Sequence, residues 1–216
     1  GGGVAAAEAA ESQRRRRRSR SGGGGAGERT DRASAGRALR CAMMIEHLCN
    51  QLATQRIQTL ARISQAPEGW LFLQPGGLVN HPAWTLAHLH LADQLVLLSL
   101  GQSTLDIELM EHFGPGSRPA QEKAAWTRFF SSRDDAVTKV REGHTRALAV
   151  VRALPAESVN QPTPHEPSRD SFPKIGDLLA YMLWHEGYHA GQVSQWRRAA
   201  GVVGANVPVT GAGMPL

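Results

Sequence analysis

Residues 171–201 read SFPKIGDLLAYMLWHEGYHAGQVSQWRRAAG, and this is the most informative segment of the chain. Ser171 is a favourable N-cap residue, and Gly201 follows the last residue that fits a helical pattern. We therefore predict a long helix from about Phe172 to Ala200. His185 and His189 lie four residues apart in this helix. They share one helical face, with about 5–6 Å between their Cβ atoms.

The preceding residues contain further helical patterns. An apolar face predicts a first long helix from Met44 to about Ser64 and consists of Ile45, Leu48, Cys49, Leu52, Ile57, Leu60 and Ile63. We predict a second long helix from an N-cap at Asn80 to about Leu100, and a third from an N-cap at Ser132 to Pro155. A short helix is predicted at 120–130, whereas 65–80 and 101–119 read as loops. No period-two pattern indicates a strand, so the sequence predicts an all-α four-helix bundle.

Charge divides the chain into two unlike parts. Residues 1–42 contain ten arginines and four acidic residues, a net charge of +6. Residues 43–216 contain 14 basic and 15 acidic residues, a net charge of −1. Because the body has no stripe of Lys and Arg, only the arginine-rich tail could bind nucleic acid, and we do not expect such a partner.

Three segments follow from composition. Residues 1–42 are rich in Gly and Arg and have few apolar side chains, which predicts a disordered tail. This tail could also be absent from the native protein, because Met43 and Met44 stand immediately before the first amphipathic pattern. A transit peptide is a further reading of the same residues. We predict one domain at 43–201 and a flexible C-terminal tail at 202–216.

Two broad classes of protein are excluded. No run of 18 uncharged apolar residues occurs, so we predict no transmembrane helix and no membrane partner. Two cysteines, Cys41 and Cys49, are too few for a disulfide scaffold or a zinc site built from cysteine alone. We expect a cytoplasmic location.

The string HEGYH at 185–189 matches H-E-x-x-H, the zinc motif of many metalloproteases, in which the Glu is a general base. The third ligand of those proteases is missing. Gln192 and Gln195 stand where the extended motif needs Gly and His, and residues 190–216 contain no His, Asp or Glu. We therefore predict that the protein is not a protease of this class.

A third ligand must come from an earlier helix. His88 lies in the middle of the predicted second helix, among apolar neighbours. Two histidines from one helix and one from another would give a three-nitrogen site with open positions for water or substrate. Imidazole ligands suit several divalent metals, of which we expect Zn or Ni.

Two motifs resemble those of the DinB-like superfamily of four-helix-bundle metalloproteins, over about residues 44–201. The motifs are WxxxH, formed by Trp84 and His88, and HExxHxGQ, formed by His185, Glu186, His189, Gly191 and Gln192. The resemblance implies an up-down-down-up bundle, often a homodimer, in which His88, His185 and His189 hold a divalent metal.

Characterised members of that superfamily include thiol-dependent transferases and maleylpyruvate isomerases that use bacillithiol or mycothiol. The resemblance thus implies a metal-dependent transferase or hydrolase that acts on a small molecule, with a low-molecular-weight thiol as a further cofactor. The alternative is a metal-binding or stress-response bundle without enzymatic activity, in which the metal is structural.

Other residues are candidates for contacts to a metal ligand or a substrate, although packing is the alternative for each and no catalytic residue is assigned. Gln192 shares a face with His189, and Tyr181 lies one turn before His185. Glu186 is turned away from His185 by about 100° around the helix. The remaining candidates are Trp84, Asp93 and His144, the last of which lies on the apolar seam of the third long helix.

Overall fold

The computed structural model describes residues 24–102, 105–119 and 123–202. Within these ranges the chain is helical, with no strand, which confirms the all-α prediction. The six α-helices are α1 (Gly24–Ser64), α2 (Pro82–Ser99), α3 (Ile107–Phe113), α4 (Lys123–Phe129), α5 (Arg133–Arg152) and α6 (Ile175–Ala199). Short 3-10 helices occur at Glu68–Trp70, Pro75–Gly77, Ala156–Asn160 and Glu166–Asp170.

Helix α1 begins earlier than predicted, at Gly24 instead of Met44. Among the described residues, those up to Met43 form one unit and those from Met44 onward form another, which contains the core and the site described below. Residues 24–42 were predicted to be disordered because they have little to bury. Ala, Arg and Glu nevertheless favour a helix by intrinsic propensity, without packing. Residues 1–23 and 203–216 lie outside the described residues.

The N-caps agree with the sequence at one long helix and differ at two. The Ser132 hydroxyl accepts a hydrogen bond from the Asp135 N–H at 3.1 Å, as predicted for α5. Helix α2 is capped by His81 instead of Asn80, because the His81 Nδ1 accepts the Trp84 N–H at 3.1 Å. Helix α6 is capped at Lys174 instead of Ser171.

The later start of α6 has a local cause. Phe172 precedes Pro173, and the proline ring disfavours the α conformation of the residue before it. The helix therefore begins after the proline, where the Lys174 N–H donates to the Asp177 carboxylate at 3.0 Å.

Helix α3 lies in a segment that was predicted to be a loop. The Asp106 side chain accepts the Leu109 N–H at 3.0 Å and caps the helix, which buries Leu109 and Phe113. Seven residues are too few for apolar periodicity to distinguish a helix from a loop. The helix matters for the site, because the backbone carbonyl of Phe113 points at a histidine there.

All four long helices contribute side chains to the buried core of the unit that begins at Met44. Among the fully buried side chains are Leu52, Ile63, Leu86, Leu89, Val140 and Leu178. Burial of these apolar side chains is the main stabilising contribution to such a bundle. No helix in the described ranges is both long and apolar enough to cross a membrane.

Candidate metal centre

The structure brings three histidines from two helices together. The Nε2 atom of His185 lies 3.1 Å from the Nε2 of His88 on α2 and 3.1 Å from the Nε2 of His189 on α6. All three residues are buried. Periodicity alone places His185 and His189 on one face, whereas the approach of His88 depends on how α2 packs against α6.

The spacing of these nitrogens fits a single metal ion. Two imidazole nitrogens that bind one ion at about 2.0–2.1 Å and lie 3.1 Å apart subtend about 98° at the ion. This angle lies between octahedral and tetrahedral values. Within the described residues the group has three members, all of whose ligand atoms lie within 4.8 Å of one another, so the ion would keep open positions.

A backbone contact fixes the tautomer of His88. Its Nδ1 lies 2.7 Å from the carbonyl oxygen of Phe113. Because a carbonyl can only accept, Nδ1 carries the hydrogen and the neutral ring presents the Nε2 lone pair to the other two histidines. This is the arrangement in which metal-binding histidines are oriented by a partner on their second nitrogen.

The three rings are held in the neutral form that a metal requires. Burial, followed by the neighbouring His88, lowers the pKa of His185 to about 4. Burial, followed by His185 and His88, lowers the pKa of His189 to about 2. The pKa of His88 is also lowered, chiefly by burial. Protons therefore compete weakly with a metal at these nitrogens near neutral pH.

Three other predicted residues lie around this cluster. The Trp84 indole stacks on the His88 ring, with centroids 4.5 Å apart and planes inclined by 11°. The Tyr181 ring lies 5.4 Å from the His185 ring and is partly exposed. Gln192 accepts a hydrogen bond from the Asn80 amide at 3.2 Å, which links α6 to the residues before α2.

Asp93 and Glu186 contact an arginine instead of a site histidine. The Arg56 guanidinium on α1 donates to Asp93 Oδ2 at 2.7 Å and to Glu186 Oε2 at 3.1 Å. Its Nη2 donates to Glu186 Oε1 as well and lies 3.4 Å from Asp93 Oδ1. Asp93 also contacts His144, whose Nδ1 lies 2.9 Å from Asp93 Oδ1. We call Arg56, Asp93, His144 and Glu186 the ion cluster.

The ion cluster is buried and holds its charges by mutual pairing. Burial opposes ionisation of Asp93, but the charge of Arg56 and the hydrogen bonds from His144 and Arg56 outweigh it and lower the pKa of the carboxyl. Burial likewise disfavours the charged form of Arg56, and Asp93 and Glu186 outweigh it and raise the pKa of the guanidinium. In this arrangement Glu186 is engaged with Arg56, unlike the general base of a zinc protease.

A cavity of about 390 Å³ adjoins the histidines. His88 and His185 line it together with all four members of the ion cluster. Its apolar wall includes Leu95, Val96, Phe172, Leu178 and Met182. The cavity is large enough for a small organic molecule in contact with two of the three candidate ligands.

Sequence reasoning missed Arg56 as part of the site and assigned Ile57 to the buried face. In the structure the arginine is the buried residue of the two: Arg56 is 2% exposed and Ile57 is 42% exposed. A signal was present: position 56 continues the spacing of Cys49, Leu52 and Leu60 along α1. An arginine on an otherwise apolar seam indicates buried carboxylate partners.

Comparison with known proteins gives one result. The family model of the DinB superfamily matches residues 51–193, which include all three site histidines and the whole ion cluster. No curated protein and no solved structure matches the chain.

Proposed function

This chain belongs to the DinB superfamily, and we propose that it is a divalent-metal-dependent enzyme acting on a small molecule. One observation carries the proposal. Three neutral imidazoles converge beside a cavity of about 390 Å³, and the Nε2 of His185 lies 3.1 Å from the Nε2 of each of the other two. A site that offers three protein ligands and an adjoining cavity has the features of a catalytic metal site.

His88, His185 and His189 would hold the ion, with the Phe113 carbonyl orienting His88. When bound, a divalent ion supplies Lewis acidity and lowers the pKa of a coordinated water or thiol. Trp84 covers one face of His88, and the apolar wall of the cavity excludes water from the bound molecule. Zn and Ni are the metals we propose, because both accept imidazole ligands.

A structural role for the metal is the competing function. A structural zinc site is normally closed by four protein ligands. In the described part of the chain, no fourth His, Cys, Asp or Glu joins the three histidines. The open position favours the enzyme over the structural alternative.

The first experiment is metal analysis of the full chain after expression in medium supplemented with Zn or Ni. We expect about one ion per chain in the wild type and its loss in His88→Ala and in His185→Ala. His90→Ala is the matched control, since His90 lies on the same helix and outside the cluster. Retention of metal by both site variants, or its loss in the control alone, would contradict the proposed site.

The reaction class we propose is transfer to, or hydrolysis by, a metal-activated nucleophile, with a low-molecular-weight thiol as one candidate nucleophile. The test is turnover of a panel of activated esters and thiol-reactive electrophiles by the metal-loaded chain. We expect turnover that His185→Ala abolishes and His90→Ala retains. A metal-loaded chain that turns over no member of the panel would favour the structural alternative.

We also propose the up-down-down-up arrangement for the four long helices. Contacts between helix ends support it. Arg133 at the start of α5 donates to the Ala66 carbonyl just after α1, at 2.7 Å, whereas Arg152 at the end of α5 pairs with Glu46 at 3.3 Å. Two contacts support a shared direction for α1 and α6. Arg56 pairs with Glu186, and further along both helices Arg197 donates to the Arg62 carbonyl at 2.7 Å.

Finally, we propose a cytoplasmic homodimer. Exposed aromatic side chains on α6, Trp184 and Tyr188, stack on each other with centroids 5.3 Å apart and support a role in association. Light scattering checks this: we expect a dimer for the wild type and a monomer for Trp184→Lys. A monomeric wild type would contradict the proposal.

A further inference from the structure

The cavity beside the histidines is long and narrow, because stripes along two helices form its main walls. The stripe on α2 consists of lining residues three or four positions apart, namely His88, Ala92, Val96 and Ser99. Residues at this spacing share one face of a helix, here over three turns. The stripe on α6 consists of Leu178, Tyr181, Met182 and His185.

Side-chain contacts between the walls fix the two ends of the cavity. At the inner end the Nε2 atoms of His88 and His185 lie 3.1 Å apart, and both residues are buried. At the outer end the Ser99 hydroxyl donates to the Ser168 hydroxyl at 3.0 Å. Ser171 also lines the cavity and is exposed to solvent. The cavity therefore runs from the candidate metal centre to an opening beside Ser168 and Ser171.

The rise of the helix gives the length of the cavity, and its volume then gives the width. His88 and Ser99 are eleven residues apart on α2, which corresponds to about 16 Å along the helix axis. A volume of about 390 Å³ spread over that length leaves a mean width of about 5.5 Å. Because atoms in contact lie about 4.0–4.5 Å apart, a single file of atoms fits this width and a polycyclic group does not.

The wall between the two ends is mostly apolar. Leu95 and Val96 on α2 face the same cavity as Leu178 and Met182 on α6. The ion cluster lies toward the inner end, and its charged groups pair with one another. A chain of methylene groups would therefore replace water along most of the cavity and would bury apolar surface there.

We propose that the substrate is an unbranched acyl or alkyl derivative of about ten carbons, with a polar head group at the histidines and its chain along α2 toward Ser168. The inference rests on the proposed function, because the head group is the part that the metal binds. Two size estimates agree. At roughly 30 Å³ for each non-hydrogen atom the cavity holds about 13 of them. An extended chain advances about 1.2 Å per bond, so about 13 bonds span its length.

The test is a series of unbranched hydroxamic acids, from butyryl to tetradecanoyl, whose head group binds zinc. Binding to the zinc-supplemented full chain is measured by calorimetry at pH 7. We expect the affinity to rise about fourfold with each added methylene, the gain for a methylene removed from water. The affinity should level off at about ten carbons, because further carbons pass the opening at Ser171 and stay in water.

The width of the cavity is tested with adamantane-1-carbohydroxamic acid, which has the same head group and carbon number as the undecanoyl compound. We expect the adamantyl compound to bind at least about tenfold more weakly, because its cage must force the walls apart. Equal affinity for the two compounds would overturn the proposal. An affinity for the unbranched series that does not depend on chain length would overturn it as well.

A substitution on the α2 stripe should shorten the chain that the cavity accepts. Ala92→Phe places a ring about 6 Å from His88 along the helix, so the affinity should level off at about five carbons. Leu97→Phe is the matched control, because Leu97 is buried on the same helix and does not line the cavity. It should keep the wild-type limit. An Ala92→Phe chain with the wild-type limit would overturn the proposal. If Ala92→Phe does not fold, the wild-type series and the adamantyl compound decide it.

A parallel series of unbranched primary alcohols, together with the zinc content of each sample, distinguishes this inference from the proposed function. The alcohols lack a chelating head group, so their affinities report on the cavity walls. A chain without zinc whose affinity for the alcohols rises with length and levels off at about ten carbons supports the inference and contradicts the metal-dependent enzyme. A zinc-loaded chain whose affinity for both series is independent of length overturns this inference alone.

Discussion

Arg56 pairs with two buried carboxylates that lie on two different helices. Its guanidinium joins α1 to Asp93 on α2 and Glu186 on α6, and all three side chains are at most 5% exposed. An ion pair in such a setting adds little over a well-packed apolar group, but the loss of one partner leaves uncompensated buried charge. Two carboxylates depend on one cation here.

We therefore expect Arg56→Met to lower the free energy of unfolding by about 3–5 kcal/mol at pH 7. Arg141→Met on the exposed face of α5 is the control and should change it by less than about 0.5 kcal/mol. Urea denaturation followed by circular dichroism measures both. A loss below about 1 kcal/mol for Arg56→Met would show that the two carboxylates find other partners or protons.

Position 56 also shows what a sequence can and cannot give at this scale. Hydrophobicity favours Ile57 over Arg56 for the buried face, because the sequence does not show the carboxylates that will meet the arginine. Asp93 and Glu186 are 37 and 130 residues away along the chain. Such pairing can be anticipated from an interrupted apolar seam, but its partners come from the packing of three helices.

The helices themselves were more accessible to prediction than their ends. Apolar patterns and cap residues predicted the helices α2, α5 and α6, and the Ser132 cap was identified because Ser followed by two Asp residues is a strong N-terminal signal. Helix α3 was missed because seven residues do not establish a period. The His185–His189 pair was evident from spacing, whereas the approach of His88 to it rests on tertiary packing and, in the sequence, only on the family resemblance.

The cap of α2 offers a direct test at the scale of an element. The His81 ring accepts the Trp84 N–H, and its Nε2 donates to the Pro119 carbonyl at 2.8 Å. We expect His81→Ala to lower the free energy of unfolding by about 1–2 kcal/mol through loss of the cap. His81→Asn, which can cap but cannot reach Pro119 in the same way, should recover part of the loss.

Asn80→Ala is the informative control for that experiment. Asn80 is the cap expected from the sequence, but its amide donates to Gln192 instead. Thermal denaturation should show a smaller loss for Asn80→Ala than for His81→Ala. The opposite order would mean that Asn80, not His81, is the cap of α2.

At the scale of the whole molecule, the burial of neutral histidines in a charge-paired interior couples folding to pH. The folded-state pKa is about 4 for His185 and about 2 for His189, below the ordinary histidine value of about 6.5 that applies to the unfolded chain. Between these values the unfolded chain binds more protons, so stability rises with pH there. The contribution of these histidines is complete above about pH 6.5 and is lost as the pH falls below it.

We therefore expect the chelator-treated protein to lose about 2–4 kcal/mol of unfolding free energy between pH 7 and pH 5, since each proton bound only by the unfolded chain contributes about 1.4 kcal/mol per pH unit. Urea denaturation at several pH values measures the slope. His189→Phe removes one buried titrating ring and should reduce the slope, whereas His47→Ala on the exposed face of α1 should leave it unchanged. The unfolding free energy of the wild type could instead be independent of pH, or His189→Phe could have the same slope as the wild type. Either result would mean that the fold does not hold the three histidines neutral. The preorganised site on which metal binding depends would then be absent.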